Sequence, residues 1–124
     1  MNIYFLIAAI LILLIAVAHS VLGERMLIMP LHRMDLSEIK LPDAISKQIL
    51  RFAWHLTTIV WWGAGFLVIY YARLGNTGNN GLPVKIISIT FLLSSIFSFI
   101  WVRGKHFSWY VFLAIAALLW FGSP

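Results

Sequence analysis

Four long apolar runs separated by more polar segments dictate what this chain can become: Ile3 to Leu22, Phe52 to Ala72, Val84 to Val102 and Phe107 to Phe121. A peptide in hydrocarbon must satisfy its backbone hydrogen bonds internally, so runs of this kind become helices. At about 1.5 Å per residue, the first three, with 20, 21 and 19 residues, each match a hydrocarbon layer roughly 30 Å thick. The fourth has 15 residues and spans only by thinning the bilayer, leaning on neighbours or drawing flanking residues inward. Of 124 residues 62% are hydrophobic and 10% charged, against about a quarter charged in soluble domains. The chain therefore reads as one all-α integral membrane domain, 1–124, an antiparallel up-down four-helix bundle.

Orientation follows from the basic residues, which are retained on the cytoplasmic side of a span while acids hardly count. Arg25, Arg33, Lys40, Lys47, Arg51, Arg103 and Lys105 share one face, and Arg73 and Lys85 the other. Seven against two predicts both termini outside. All four histidines (His19, His32, His55, His106) and all four acids (Glu24, Asp35, Glu38, Asp43) fall on the basic side, so any chemistry belongs there. The net charge of +5 is a topology signal. The long first loop nets a single positive charge, a poor lipid anchor and no nucleic-acid patch.

Ala16-Val17-Ala18 resembles a signal-peptide cleavage site, but no Lys or Arg precedes the run, and cleavage would carry five basic residues outside. A retained first helix is expected. The absence of cysteine excludes disulfides, thiolate metal sites, redox dithiols and covalent haem attachment.

Span one is expected to end near Gly23, with Met26 to Met29 adding a turn before Pro30 stops it. Pro42 and Asp43 mark a helix start, because proline fits a first turn and an acid favours the positive end of the helix dipole. From about 43 the helix runs out of the cytoplasmic loop 24–51 into span two, with Ile45, Ile49 and Phe52 as an apolar stripe against a neighbour. Gly75 to Gly81 is a run of turn residues with no expected function, and Pro83 opens the next helix. Gly104 supplies the unusual backbone geometry of a tight hairpin between spans three and four. Trp101, Trp109 and Trp120 suit span ends, whereas Trp61 and Trp62 lie deeper.

His19 and His55 each lie about one turn inside the cytoplasmic ends of antiparallel spans one and two, at matching depth, and are expected to face each other. Gln48, Arg51, His55, Thr58, Trp62 and Gly65 recur at helical steps, giving span two a stripe that is polar at its mouth and plugged by Trp62 below. Thr90, Ser94 and Ser98 form a hydroxyl stripe on span three, expected to descend toward the same face. Ala9, Ala16 and Gly23 recur at seven as a seam for close helix approach. Glu24 lies about 140° round the helix from His19, so it joins the pair only if the helix loosens at Gly23. Arg103 and His106 reach the same level from the last loop.

Each feature has a bland counterpart. Paired histidines can be interhelical hydrogen bonding, Glu24 with Arg25, Arg51 or Arg103 a solvated ion pair, and the hydroxyl stripe plain packing. If the pair is functional, three readings compete. His19 and His55 would ligate a b-type haem axially between Trp54, Trp61 and Trp62. With Glu24 they would form a two-His, one-carboxylate site for iron or zinc. Beside Arg51 they would relay protons in a small permease or channel, which needs a homo-oligomer to enclose a path.

The segments His19-Ser20-Val21-Leu22-Gly23-Glu24-Arg25 and Leu50-Arg51-Phe52-Ala53-Trp54-His55-Leu56-Thr57 resemble the signature segments of a family of small four-span bacterial inner-membrane proteins. The likeness covers under half the chain. It implies residence in a bacterial inner membrane and brings no activity, cofactor or substrate. The candidate ligand-binding residues are thus His19, Arg51, His55 and Trp62, and the candidate metal ligands His19, His55 and Glu24. With no acid pair, activated nucleophile or phosphate cradle in view, the reading is a membrane protein binding a metal or haem b rather than an enzyme. Its rivals are an accessory subunit of a larger membrane complex and the proton-linked permease.

Overall fold

The computed structural model describes residues 1–75 and 81–124, all helix and connections. Its first helix, Ile3–His32, starts at Asn2, whose side-chain oxygen accepts the backbone N–H groups of Tyr4 and Phe5. The second runs Asp43–Leu74, the third Gly81–Val102 and the fourth Ser108–Gly122. The turn expected beyond Gly75 falls on residues 76–80, outside the described residues. Three helices are long and apolar enough to cross a membrane, and the fourth, with 15 residues, is shorter.

The bundle's two ends are defined by contacts. At one, Asn2 donates from its backbone to the Ala72 carbonyl and from its amide to the Gly122 carbonyl, at 2.9 and 2.8 Å. Lys85 reaches the Pro124 carbonyl at 2.8 Å beside them. Packed neighbours are therefore antiparallel. Their spatial order is second, first, fourth, third: the first helix packs on the second and fourth, the third packs on the fourth, and the second and third scarcely touch. The first helix is accordingly the core, with Phe5, Ala8, Ala9, Ile12 and Ala16 fully buried against Val68, Ile115 and Leu119. Ala9, Ala16 and Gly23 are all buried, as the seam required.

A compact soluble monomer of this mass would expose roughly 6,700 Å². This chain exposes 8228 Å², and Phe66, Ile86, Leu93, Phe97 and Ile100 are among the large apolar side chains on its outside. An apolar periphery of that extent suits a lipid solvent.

Pro30 does not stop the first helix. The turn before it, Glu24–Ile28, widens to π geometry, with the Met29 N–H bonded to the Glu24 carbonyl five residues back. A proline ring clashes with the carbonyl four residues behind it, and a widened turn relieves the clash. The second helix begins at Asp43 as expected, its carboxylate accepting from the Leu36 N–H at 2.9 Å and from Lys47 at 2.6 Å. Lys47 and that backbone hydrogen bond hold the Asp43 carboxyl below its ordinary range. Ile45, Ile49 and Phe52 do not lie along a neighbour. They are 46, 49 and 66% exposed, because the face turned inward is that of buried Ser46.

The hairpin between the third and fourth helices places Arg103 and Gly104 at φ 50° and 70°. Gly104 donates to the Phe99 carbonyl at 3.0 Å, and a Cβ there would meet the Phe99 ring at 3.0 Å, which explains the glycine. Hydroxyls join these two helices at a heptad step: Ser88 donates to the Ala116 carbonyl at 2.7 Å and Ser95 to that of Trp109 at 2.8 Å.

Candidate functional site

At the end of the bundle opposite Asn2, two residues four apart on the first helix meet two residues four apart on the second. Ser20 and Glu24 lie about 40° apart round their helix, and so do Arg51 and His55, so each pair presents one face. The Ser20 hydroxyl lies 2.7 Å from His55 Nδ1, and His55 Nε2 lies 3.0 Å from a Glu24 carboxylate oxygen. Arg51 donates to the same carboxylate through Nε at 3.3 Å and through Nη2 to its other oxygen. The carboxylate accepts only, so His55 Nε2 carries a proton, and Nδ1 of the neutral ring accepts from Ser20. Glu24 lies beyond the apolar run of its helix, and its carboxyl is held below the ordinary range chiefly by the Arg51 hydrogen bond, with His55 adding to it.

His19 faces elsewhere, one residue and about 100° away from Ser20. Its ring stacks on the Trp54 indole at 4.2 Å and 5° and meets Trp61 at 4.8 Å. The clasp is reciprocal: His19 Nε2 donates to the Trp54 carbonyl at 3.3 Å, and Trp54 Nε1 donates to the His19 carbonyl at 2.9 Å. Gly23 makes it possible, since a Cβ there would lie 2.0 Å from Trp54 Nε1. Trp61 in turn packs edge-on against Phe112 of the fourth helix at 5.3 Å. Beside these rings opens a cleft of about 420 Å³, bounded by His19, Trp54 and Trp61 on one side and by His106 and Phe107 on the other.

The structure therefore brings Glu24, Arg51 and His55 together and sends His19 to a different surface. Equal depth does not fix azimuth. Among the described residues no three His, Asp or Glu side chains converge as a metal-ligand set. His55 has both nitrogens engaged, so the two imidazoles as arranged do not offer a nitrogen each to one iron. Glu24 reaches His55 by sharing the face of Ser20, not that of His19. Trp62, expected to plug the stripe, is 43% exposed, and its neighbour Trp61 takes the inward place. Further along that stripe Gln48 is exposed, Thr58 is buried with no partner for its hydroxyl, and Gly65 lies against Leu13.

The hydroxyl stripe on the third helix does not reach this face. Thr90 and Ser94 bond to carbonyls of their own helix, and the helix itself is held away from the second by the order of packing. Ser98 meets Ser108 of the fourth helix at 2.6 Å, and Ser108 in turn lies 3.0 Å from His106 Nδ1. Arg103 is exposed in the hairpin. Three participants escaped the sequence reading: Ser20, the Trp54 clasp and the Ser88 and Ser95 bonds. The signal for Ser20 was present, because two polar pairs at a step of four on adjacent antiparallel helices can mate face to face.

A hydroxyl, an imidazole and a carboxylate in a row suggest nucleophilic chemistry. Ser20, however, lies within a regular helix, where the backbone N–H groups that could stabilise an oxyanion are spent on helical hydrogen bonds. The row is suited instead to locking two helices and to holding a proton between Ser20 and Glu24. Comparison of the chain with protein-family models, with curated proteins and with solved structures finds no match. The family resemblance of the two segments rests on their residues alone.

Proposed function

We propose that this chain crosses the bacterial inner membrane four times, with both termini periplasmic, and binds a small molecule in the cleft at its cytoplasmic end. One observation carries the reading: His19 is held flat on Trp54 by two hydrogen bonds, at the edge of an open, ring-walled cleft of about 420 Å³. Fixing an imidazole that firmly beside empty space is preorganisation, and a cleft of this size and lining is the usual form of a ligand site. Seven basic residues against two support the orientation. Haem b and divalent metals, the ligands expected from the sequence, fit less well than an uncharged molecule, because His55 and Glu24 are engaged with Ser20 and Arg51 and no carboxylate lines the cleft beside His19.

Native mass spectrometry of the purified chain tests it. A small molecule should remain bound to the wild type and be lost in Ala18→Phe, which fills the cleft from the first helix without touching the polar cluster. A Soret band lost in His19→Ala would name haem, and stoichiometric metal lost in the same variant would name a metal. A folded protein that carries and takes up nothing would end the reading. The accessory-subunit reading draws on a different observation, that Ser20, Glu24, Arg51 and His55 all satisfy one another. It predicts that Glu24→Gln and His55→Ala lower thermal stability while co-purification with a larger complex persists.

A further inference from the structure

We propose that the cleft takes the flat head of a lipid-soluble quinone or quinol, an inference that rests on the ligand-binding reading and supplies its chemistry. No Lys, Arg, Asp or Glu lines the cleft, so a charged ligand would lose its hydration without a counter-charge. The walls are rings: Trp54 and Trp61 from the second helix, and Phe107 at the entry to the fourth. Such walls select a flat, uncharged molecule over a phospholipid head.

The two imidazoles on the cleft have complementary vacancies. The Trp54 carbonyl can only accept, so His19 carries its proton on Nε2 and leaves a lone pair on Nδ1. His106 accepts the Ser108 N–H through Nδ1 at 3.2 Å, so the neutral ring carries its proton on Nε2. Neither His19 Nδ1 nor His106 Nε2 has a partner among the described residues. One ring with an unused acceptor and one with an unused donor thus line a single apolar space. A quinone ring offers carbonyl oxygens to the donor, and its reduced form offers hydroxyls to the acceptor. Leu22, Met26 and Leu27 on the rim are 45, 75 and 45% exposed, giving an isoprenoid tail an apolar way out into lipid.

The test titrates the detergent-purified full chain with a short-tailed benzoquinone and follows tryptophan emission, which a quinone quenches on contact with Trp54 and Trp61. Saturable quenching is expected, weakened about threefold to tenfold in His19→Ala, the worth of one hydrogen bond. It should be lost in Ala18→Phe and unchanged in His32→Ala, whose ring is bonded to its own helix away from the cleft. Circular dichroism establishes that each variant is folded, and Ala18→Phe keeps the test alive should His19→Ala fail to fold. Quenching that never saturates, or that survives Ala18→Phe, overturns the proposal. If mass spectrometry finds a different molecule that Ala18→Phe expels, the cleft binds ligand and the quinone class alone falls. If nothing binds, both fall.

Discussion

Replacing Gly23 by alanine places a methyl group where the Trp54 indole lies, 2.0 Å from Nε1 and 2.2 Å from Cε2. Contacts under 3.0 Å are not sustained by real Cβ atoms, and the obstacle is a rigid ring system rather than a flexible tip. The indole must therefore swing away, and two interactions go with it: the Nε1 hydrogen bond to the His19 carbonyl and the stack on the His19 ring. An interhelical hydrogen bond in a membrane protein gives about 0.6 kcal/mol, and an aromatic stack about 0.5 to 1.5 kcal/mol. Overpacking costs about 1 to 3 kcal/mol more, while alanine recovers about 1 kcal/mol of helix propensity. The expected net loss is about 1 to 4 kcal/mol, read as a lower midpoint when the chain is unfolded by denaturing detergent. The sign should reverse in a Trp54→Ala background, where the methyl group meets no ring and only the propensity gain of about 1 kcal/mol survives. An equal penalty in both backgrounds would refute the clasp.

Three other expectations follow from the geometry. The folded-state pKa of Glu24 is depressed, so its contribution to stability is complete above the unfolded value near 4.5 and is lost as pH falls from there through the folded value. Acid titration of unfolding should show that loss in the wild type and a flatter profile in Glu24→Gln. Trp61→Ala should cost about 2 to 4 kcal/mol, because it empties the contact with His19 and Phe112, whereas Trp62→Ala should change the unfolding midpoint little. Equal effects would misplace the core. Because the chain lacks cysteine, single thiols at Ser37 and Ser123 can be labelled in oriented vesicles with a membrane-impermeant reagent. They should react from opposite sides, with Ser123 outside.

Helix existence was legible because lipid leaves the backbone few options, and hydropathy alone located the ranges to within three residues at most starts. The seam of Ala9, Ala16 and Gly23 was legible for a similar reason, since small residues at a heptad step mark where another helix can come close. Azimuth was not. His19 and His55 were placed at the same level, yet a shift of one residue is about 100°, enough to exchange His19 for Ser20 as the partner of His55. Inward Trp61 and outward Trp62 are the same error on the second helix. Helix order was legible in part. The first helix was expected beside the second and the third in a hairpin with the fourth, and both pairings hold, but nothing in the sequence announces that the first also packs on the fourth or that the second and third scarcely touch. The packing is set by buried contacts such as Gly65 on Leu13 and Ser88 on the Ala116 carbonyl, which depend on side chains distant in sequence.

The consecutive residues His19 and Ser20 oppose the consecutive residues Trp54 and His55, and this gives the polar cluster and the cleft a mechanical relation. His19 with Trp54 forms the wall of the cleft, and Ser20 with His55, backed by Glu24 and Arg51, forms the lock behind it. Rotating either helix by the amount that would break the Ser20 to His55 contact also turns the His19 imidazole off the Trp54 indole, because adjacent residues on a helix share one rigid backbone. The lock thus fixes the azimuth on which the cleft depends. Loss of the Glu24 charge should act at a distance for the same reason, loosening a contact that does not line the cleft and letting the ring that does line it turn out of register.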